Sequence, residues 1–182
     1  MSSLETYSPG PADVGHVEKQ GDEWTLVLVR EFHHPPGKVW QAITDPEHLR
    51  EWAPFDADSS LATAGTKVNL TTVGAPQLHV TETVVTRADA PNELEYKWGD
   101  FNMRWKLDAL GEGTRLTLWT NIARPYIAMG AAGWQICFDV LDRLLGGDPI
   151  GRMVGPETMK FEGFQRLHKE YAKQFHVEMP KW

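Results

Sequence analysis

The sequence predicts an α+β protein in which a curved antiparallel β-sheet wraps around one long C-terminal helix. Three observations lead to this fold class. An early strand-like run is followed by two short helices set between prolines. The middle of the sequence alternates apolar and polar residues with a period of two, and the region after Pro125 changes to a period near 3.6. Because each strand has one polar face, the helices must cover the other face.

Length and composition limit the number of domains and the classes of partner. The 182 residues suit one domain, expected over residues 22–182, whereas residues 1–21 carry few apolar side chains and are predicted to form a flexible arm. The net charge of −7 without a cluster of Lys and Arg argues against binding nucleic acid or an acidic membrane surface. Cys137 is the only cysteine and no signal peptide is recognisable, which favours a reducing cytoplasm.

The first predicted elements are a strand and two short helices. Residues 23–32 are rich in β-branched and aromatic side chains, which is typical of a strand, and two prolines follow them. A first helix then ends at Thr44 or Asp45, either of which can cap a second helix that has Pro46 at its first position. The predicted inner face of the two helices consists of Val39, Trp40, Ile43, Leu49 and Trp52.

Residues 66–122 predict an antiparallel meander. The runs of alternating polarity are separated by short turn signals such as Gly99-Asp100 and Gly111-Glu112-Gly113, and such short connections join antiparallel neighbours. The residues expected on the dry face are Leu78, Val80, Glu82, Val84, Leu94, Tyr96, Trp98, Phe101, Met103, Trp105, Leu107, Leu116 and Leu118.

A long helix from about residue 130 to 145 is predicted to cover this dry face. Its apolar stripe consists of Trp134, Cys137, Phe138, Leu141, Leu144 and Leu145. Ile136 and Val140 lie outside the stripe, so we expect the helix to be packed on two sides. An amphipathic helix from about residue 156 to 175 ends the chain. This order of elements predicts a helix-grip arrangement.

Three blocks of the sequence resemble a known family. VWQAITDPEHLREWAPF, GTRLTL and AAGWQICFDVLDRLLGG are similar to recurrent blocks of the proteins named for their likeness to an activator of the heat-shock protein ninety ATPase. That family lies within the START and birch-pollen-allergen helix-grip (SRPBCC) superfamily. The resemblance runs from about residue 24 to 147 and implies the helix-grip fold with an apolar ligand cavity. Chaperone activation belongs to members with an additional N-terminal domain and is not expected here.

The candidate ligand site lies between the predicted sheet and the long helix. The expected lining residues are Trp52, Val80, Glu82, Tyr96, Trp98, Met103, Trp105, Leu118, Trp134, Phe138 and Leu141. Leaving a pocket of roughly 300 Å³ empty would cost on the order of 7 kcal/mol. Either the tryptophans fill this space or a small hydrophobic or amphipathic molecule occupies it. In the second case we expect Trp52 near the mouth and Glu82 or Tyr96 to orient the ligand.

Glu82 is the one charged side chain predicted in a dry position. An unpaired carboxylate there would be costly to bury, and it would be a candidate ligand anchor or the acid or base of a cyclase or hydrolase. The alternatives are that a local twist turns Glu82 outward, or that an Arg or Tyr pairs with it.

Neither a metal nor another cofactor is predicted. His33 and His34 point to opposite sides of a strand end, and His48 with Glu51 lacks a third ligand at a suitable spacing. No nucleotide-binding or nucleophile motif is present. Three functions remain as hypotheses: a ligand-binding protein, an enzyme using Glu82, and an interaction module acting through the last helix. A homodimer is a further option.

Overall fold

Residues 6–13 and 15–179 are described by the computed structural model. The strands are β1 (Gly15–Gln20), β2 (Glu23–Phe32), β3 (Phe55–Ala57), β4 (Lys67–Thr72), β5 (Val80–Val84), β6 (Arg87–Asp89), β7 (Glu93–Trp98), β8 (Phe101–Leu110) and β9 (Gly113–Asn121). The helices are α1 (Pro36–Thr44), α2 (Pro46–Trp52), α3 (Ile127–Leu145), α4 (Pro156–Met159) and α5 (Glu162–Gln174). Within the described residues, no helix has the length and apolar character needed to cross a membrane.

The strands form two antiparallel sheets that share one curved surface. The larger sheet has the order β1-β2-β9-β8-β7-β6 and the smaller one the order β3-β4-β5. Two hydrogen bonds join β5 and the short link that follows it to β7. The Lys97 N–H donates to Thr83 Oγ1 over 3.1 Å, and the Thr86 N–H donates to the Glu95 carbonyl over 2.9 Å. The predicted antiparallel sheet around a long helix is thereby confirmed.

The two short helices lie as the sequence predicts. The Asp45 carboxylate accepts the Glu47 N–H over 2.9 Å and caps α2, whose first residue is Pro46. The indole N–H of Trp52 donates to the Ala42 carbonyl over 2.9 Å, which fixes the angle between α1 and α2. Both helices therefore present their aromatic face to α3.

Helix α3 is packed on two sides, in agreement with its wide apolar surface. One side faces the sheet, where it comes so close that a Cβ on Gly130 would lie 2.6 Å from Ile122 Cδ1. The other side packs against α5 through Phe164, Leu167 and Tyr171, all of which are buried. The sequence predicts one terminal helix, but the structure has two, α4 and α5, which are separated at Lys160 and Phe161. This break places the Phe161 ring 6.1 Å from the Tyr7 ring.

Residues 6–13 form a segment that we call the N-terminal strap, which lies across α3 and α5. The Ala12 N–H donates to Glu170 Oε1 over 3.1 Å, and the Asp13 N–H donates to the Tyr171 hydroxyl over 2.9 Å. Strand β1 follows and pairs with β2 along its whole length. The described part of the predicted flexible arm therefore has defined partners, which the sequence does not reveal because they come from distant side chains. Residues 1–5 and 14 lie outside the described residues.

The face that β5 turns inward is the opposite of the predicted one. Thr81 pairs with Leu70, and Thr83, which is buried, pairs with Val68. Val80, Glu82 and Val84 are exposed, and Leu78 before them is 83% exposed. The sequence VTETVV has β-branched residues in both phases, so polarity alone does not set the register. Threonine fits the inner face because the Thr83 hydroxyl accepts a hydrogen bond from β7.

Candidate functional site

A cluster of aromatic rings fills the space between the sheet and α3. The Trp52 and Trp105 ring centroids are 6.2 Å apart, and Trp134 lies 5.7 Å from Trp105 and 5.8 Å from Phe138. Most of these contacts are edge-to-face or tilted, which is a favourable geometry for aromatic pairs. Their side chains are buried. Of the two alternatives that the sequence left open, the structure shows the first at the centre of this space, which the protein's own tryptophans occupy.

The aromatic cluster reaches the surface at one end through Trp98. This half-buried ring lies 6.5 Å from Trp134 and 5.6 Å from Phe101, which is 40% exposed. Its indole N–H donates to Thr72 Oγ1 over 3.1 Å, so one hydrogen bond ties the ring to β4. Trp52, which was expected near the mouth, is only 1% exposed, because its indole packs against Ala42 of α1, Trp105 of β8 and Phe138 of α3.

Few polar atoms face the aromatic cluster. The Trp105 indole N–H donates to the Tyr96 hydroxyl over 3.2 Å, and both side chains are buried. Burial raises the pKa of Tyr96 above its ordinary value. Burial likewise raises the pKa of the Cys137 thiol to about 12, with a smaller opposing effect of the Arg152 charge. Near neutral pH both groups therefore stay protonated and uncharged.

The predicted site residues divide into those inside the fold and those on its surface. The buried ones are Trp52, Tyr96, Met103, Trp105, Leu118, Trp134, Phe138 and Leu141. Trp98 is half-buried, and Val80 and Glu82 lie on the exposed face of β5. Phe55 was missed, although its ring is 5.1 Å from Trp98. The only local signal for it was an aromatic residue directly after Pro54, in a strand of three residues.

Glu82 borders an open groove of about 680 Å³ in the sheets. The groove is also lined by Glu95, Lys97, Arg104 and Trp119. Their neighbours in the strands are largely buried, and successive side chains of a strand point to opposite faces, so these four residues lie on the solvent side of the sheet. The Arg104 guanidinium lies 4.6 Å from the Trp119 ring and 3.3 Å from Glu95. Glu82 therefore lies on the exposed face of β5, where its carboxylate is not the buried group that the acid–base hypothesis requires.

A second polar cluster lies on the opposite side of α3, beneath the N-terminal strap. Arg30 Nη2 donates to Asp139 Oδ1 over 2.7 Å, and Arg30 Nη1 lies 3.6 Å from Asp13. The Tyr7 hydroxyl also donates to Asp139, and burial together with this bond raises the pKa of Tyr7. Because the charges are paired with one another, the cluster acts as a clamp between β2, α3 and the strap.

Metal ligation finds no support in the part of the chain that the structure describes. No group of three or more His, Cys, Asp or Glu side chains there is arranged to hold an ion. His33 and His34, which the sequence already disfavoured as a pair of ligands, belong to no such group.

Comparison with known proteins identifies a family and a fold. A sequence profile described as Activator of Hsp90 ATPase homolog 1-like protein matches residues 33–146. Among curated proteins no relative is found. CalU16 from Micromonospora echinospora is 20% identical with a TM-score of 0.64, and the alignment covers 90% of this chain and 97% of that one.

Two further solved structures have the same fold. EF2215 from Enterococcus faecalis, described as a conserved protein of unknown function, is 15% identical with a TM-score of 0.66 and coverage of 88% and 89%. MLL2253 from Mesorhizobium loti is 26% identical with a TM-score of 0.58, covering 68% of this chain and 97% of that one. The strap, β1 and α5 lie outside the residues that the family profile matches.

Proposed function

This chain belongs to the Activator of Hsp90 ATPase homolog 1-like family, and on that basis we propose that it binds a small, largely apolar molecule between its sheet and α3. Trp98 is the proposed entrance. The ligand takes the place of one or more aromatic rings, which move aside. The free, buried Cys137 suits a reducing cytoplasm, which we propose as the compartment.

One observation carries the proposal: the aromatic rings run without interruption from the surface to the centre of the fold. Phe101, Trp98 and Trp134 form the outer part of this path, and consecutive ring centroids lie 5.6 and 6.5 Å apart. Trp105 continues the path 5.7 Å further on. A ligand that enters at Trp98 would therefore meet aromatic surface along the whole path.

The free energy of exchanging ring for ligand depends on the apolar area that each of them buries. An aromatic molecule that buries about 200 Å² gains roughly 5 kcal/mol at about 25 cal/mol per Å². Releasing Trp98 from Thr72 breaks one hydrogen bond, with a net cost of about 1 kcal/mol. The exchange is favourable when the displaced Trp98 ring is buried again at the exposed end, because leaving that ring in water would cancel the gain from the ligand. The uncharged state of Tyr96 favours binding over acid–base chemistry in this cluster.

The test is a titration with 1-aminoanthracene, a neutral aromatic fluorophore. We expect its emission to rise on binding, the tryptophan emission to fall, and the melting temperature to increase with probe concentration. In stopped-flow measurements, Trp98→Ala should speed association several-fold, because it removes the ring at the entrance.

Trp119→Ala is the matched control, since Trp119 lies on the solvent side of the sheet over Arg104. It should leave the association rate unchanged. Absence of binding at probe concentrations up to its solubility limit would refute the proposal. Equal acceleration by both substitutions would refute the entrance at Trp98.

A further inference from the structure

An open groove crosses the solvent side of the sheet and is not used by the proposed function. It measures about 680 Å³ and runs from β5 over β7, β8 and β9 to β2. Adjacent strands lie about 4.8 Å apart, so the four steps between these strands give the groove a length of about 19 Å. Glu82 on β5 and Glu23 on β2 mark its two ends. The groove is therefore long enough for a short stretch of polypeptide that runs across the strands.

The volume of the groove fits an extended chain better than a helix. A helix with a diameter of about 10–12 Å would occupy about 1,500–2,100 Å³ over this length, more than twice the volume of the groove. An extended chain has a cross-section of about 4.8 by 10 Å and would occupy about 900 Å³, with its outer part in solvent. Because each residue of such a chain advances by about 3.3 Å, a segment of about seven residues spans the groove.

The charges along the groove define the ends of such a segment. Glu82 and Glu23 are exposed, and neither carboxylate pairs with a basic side chain that the structure describes. Between them, the Glu95 carboxylate lies 3.3 Å from Arg104, which neutralises it. The exposed Lys97 also lines the groove and disfavours another cation in the middle. A segment with a basic residue at each end therefore complements the groove.

Apolar side chains lie exposed in and beside the groove. The half-buried Trp119 lines it beneath the Arg104 guanidinium, and Val84 on the opposite wall is 42% exposed. The outward face of β5 continues this apolar surface with Val80, which is 48% exposed, and with Leu78 ahead of the strand. Exposed apolar side chains that are bordered by charged ones are typical of protein interaction sites.

We propose that this groove binds an extended segment of another protein, with a basic residue at each end and apolar residues between them. The two basic side chains pair with Glu82 and Glu23, and the apolar side chains contact Trp119 and Val84. The groove lies on the face of the sheet that points away from α3. Binding there is independent of a ligand between the sheet and α3, so either proposal can be refuted without the other.

The test uses two peptides that differ only in the charge of their ends, both blocked at the termini: Lys-Thr-Leu-Thr-Leu-Thr-Lys and Glu-Thr-Leu-Thr-Leu-Thr-Glu. In an extended chain, the two end residues and the two leucines point to the same side. Each peptide is titrated into the isotope-labelled protein and followed by NMR. We expect the lysine peptide to shift the backbone amide signals of β5, β7, β8 and β9 to saturation, and the glutamate peptide to shift none of them.

Glu82→Gln should weaken binding of the lysine peptide by a factor of about 2 to 5, which corresponds to the loss of one exposed ion pair. Glu112→Gln is the matched control. It removes the same charge from an exposed position in the turn between β8 and β9, at the opposite end of these strands from the groove residues Asn102 and Asn121. The dissociation constant of this variant should equal that of the wild-type protein.

Three results would overturn the proposal. Equal weakening by Glu82→Gln and Glu112→Gln would mean that the peptide responds only to the net negative charge of the protein. Equal binding of the two peptides, or no saturable shift with the lysine peptide up to its solubility limit, would remove the role of the end carboxylates. Shifts of the same signals that grow with protein concentration in the absence of peptide would assign this face to a second copy of the chain.

Discussion

Asp139 holds together three parts of the chain through one carboxylate. Arg30 of β2 and Tyr7 of the N-terminal strap both donate to it, while Asp139 itself belongs to α3. The Arg30 and Asp139 side chains are 18% and 15% exposed. At this degree of burial, removing one partner leaves the other charge poorly hydrated, which costs more than the loss of a surface ion pair.

We expect Asp139→Asn to lower the free energy of unfolding by about 2 kcal/mol, because it leaves the Arg30 charge without its nearest counter-charge. Urea denaturation measures this change. Glu31→Gln is the control, since Glu31 is the next residue on β2 and pairs with Arg115 at 3.2 Å on the surface. It should cost less than about 0.5 kcal/mol. Similar losses for the two variants would contradict the role of Asp139 as a clamp.

His168 provides a second prediction at the scale of one residue. It is 4% exposed on α5, its Nε2 atom has no hydrogen-bond partner among the described residues, and burial lowers its pKa. The folded protein thus favours the neutral ring. Stability from this effect is complete above the unfolded pKa of about 6.5 and is lost as the pH falls from there through the lowered folded pKa.

We therefore expect the wild-type protein to lose stability on acidification below pH 6.5 more steeply than His168→Phe does. A single titrating group adds a slope of at most about 1.4 kcal/mol per pH unit. Urea denaturation across pH 5 to 8 measures the two slopes. His79→Gln is the control, because His79 is exposed and should keep the wild-type slope. Parallel curves for wild type and His168→Phe would contradict the prediction.

At the scale of whole elements, the N-terminal strap and α5 form one layer over α3. The contacts cross more than 150 residues of sequence: the Arg166 guanidinium donates to the Gly10 carbonyl over 3.1 Å, and Tyr7 stacks on Phe161. The strap and α5 support each other, because each would lose these contacts if the other were absent. We therefore regard the strap as the element that fixes α5 in place.

Tyr7→Ala should lower the free energy of unfolding by about 2 kcal/mol, because it removes a half-buried ring and a hydrogen bond to a carboxylate. Relative to the wild-type protein, hydrogen exchange should then accelerate more in α5, whose preceding residue Phe161 stacks on Tyr7, than in β8 and β9. Tyr126→Ala, at a 45% exposed tyrosine, should change stability by less than about 0.5 kcal/mol. Uniform acceleration throughout the protein would contradict a local role of the strap.

The elements that the sequence predicts well are those specified by their own residues. Asp45 and Pro46 indicate the start of α2, and Ile136 and Val140 indicate the second packed face of α3. The strap and the phase of β5 depend on partners far away in the sequence. Thr83 faces inward because it pairs with Val68 and its hydroxyl accepts the Lys97 N–H. Neither partner can be identified from the residues around Thr83. The same applies to the outer end of the aromatic cluster, where Trp98 is half-buried and Trp52 is fully buried.

At the scale of the whole molecule, the segment that follows α3 connects the C-terminal end of this helix to the smaller sheet. Arg152 donates to the Leu49 carbonyl over 3.0 Å and to Asp56 over 2.6 Å. Gly155 then meets Gly74 of the β4–β5 loop, where the two backbones are in direct contact. These contacts connect α2, β3 and the β4–β5 loop with the chain that leads to α5 and close the space between them.

This closure predicts a difference between two glycines of the same segment. Gly155 and Gly147 have positive φ angles of 81° and 80°, so alanine at either position is strained by about 1–2 kcal/mol. At Gly155 the new Cβ would also lie 2.9 Å from Gly74 Cα, whereas at Gly147 no atom lies within 4 Å. Because the obstacle is backbone, the β4–β5 loop must move. Gly155→Ala should thus cost at least about 1 kcal/mol more than Gly147→Ala in urea denaturation, and equal costs would show that the two loops separate without loss of stability.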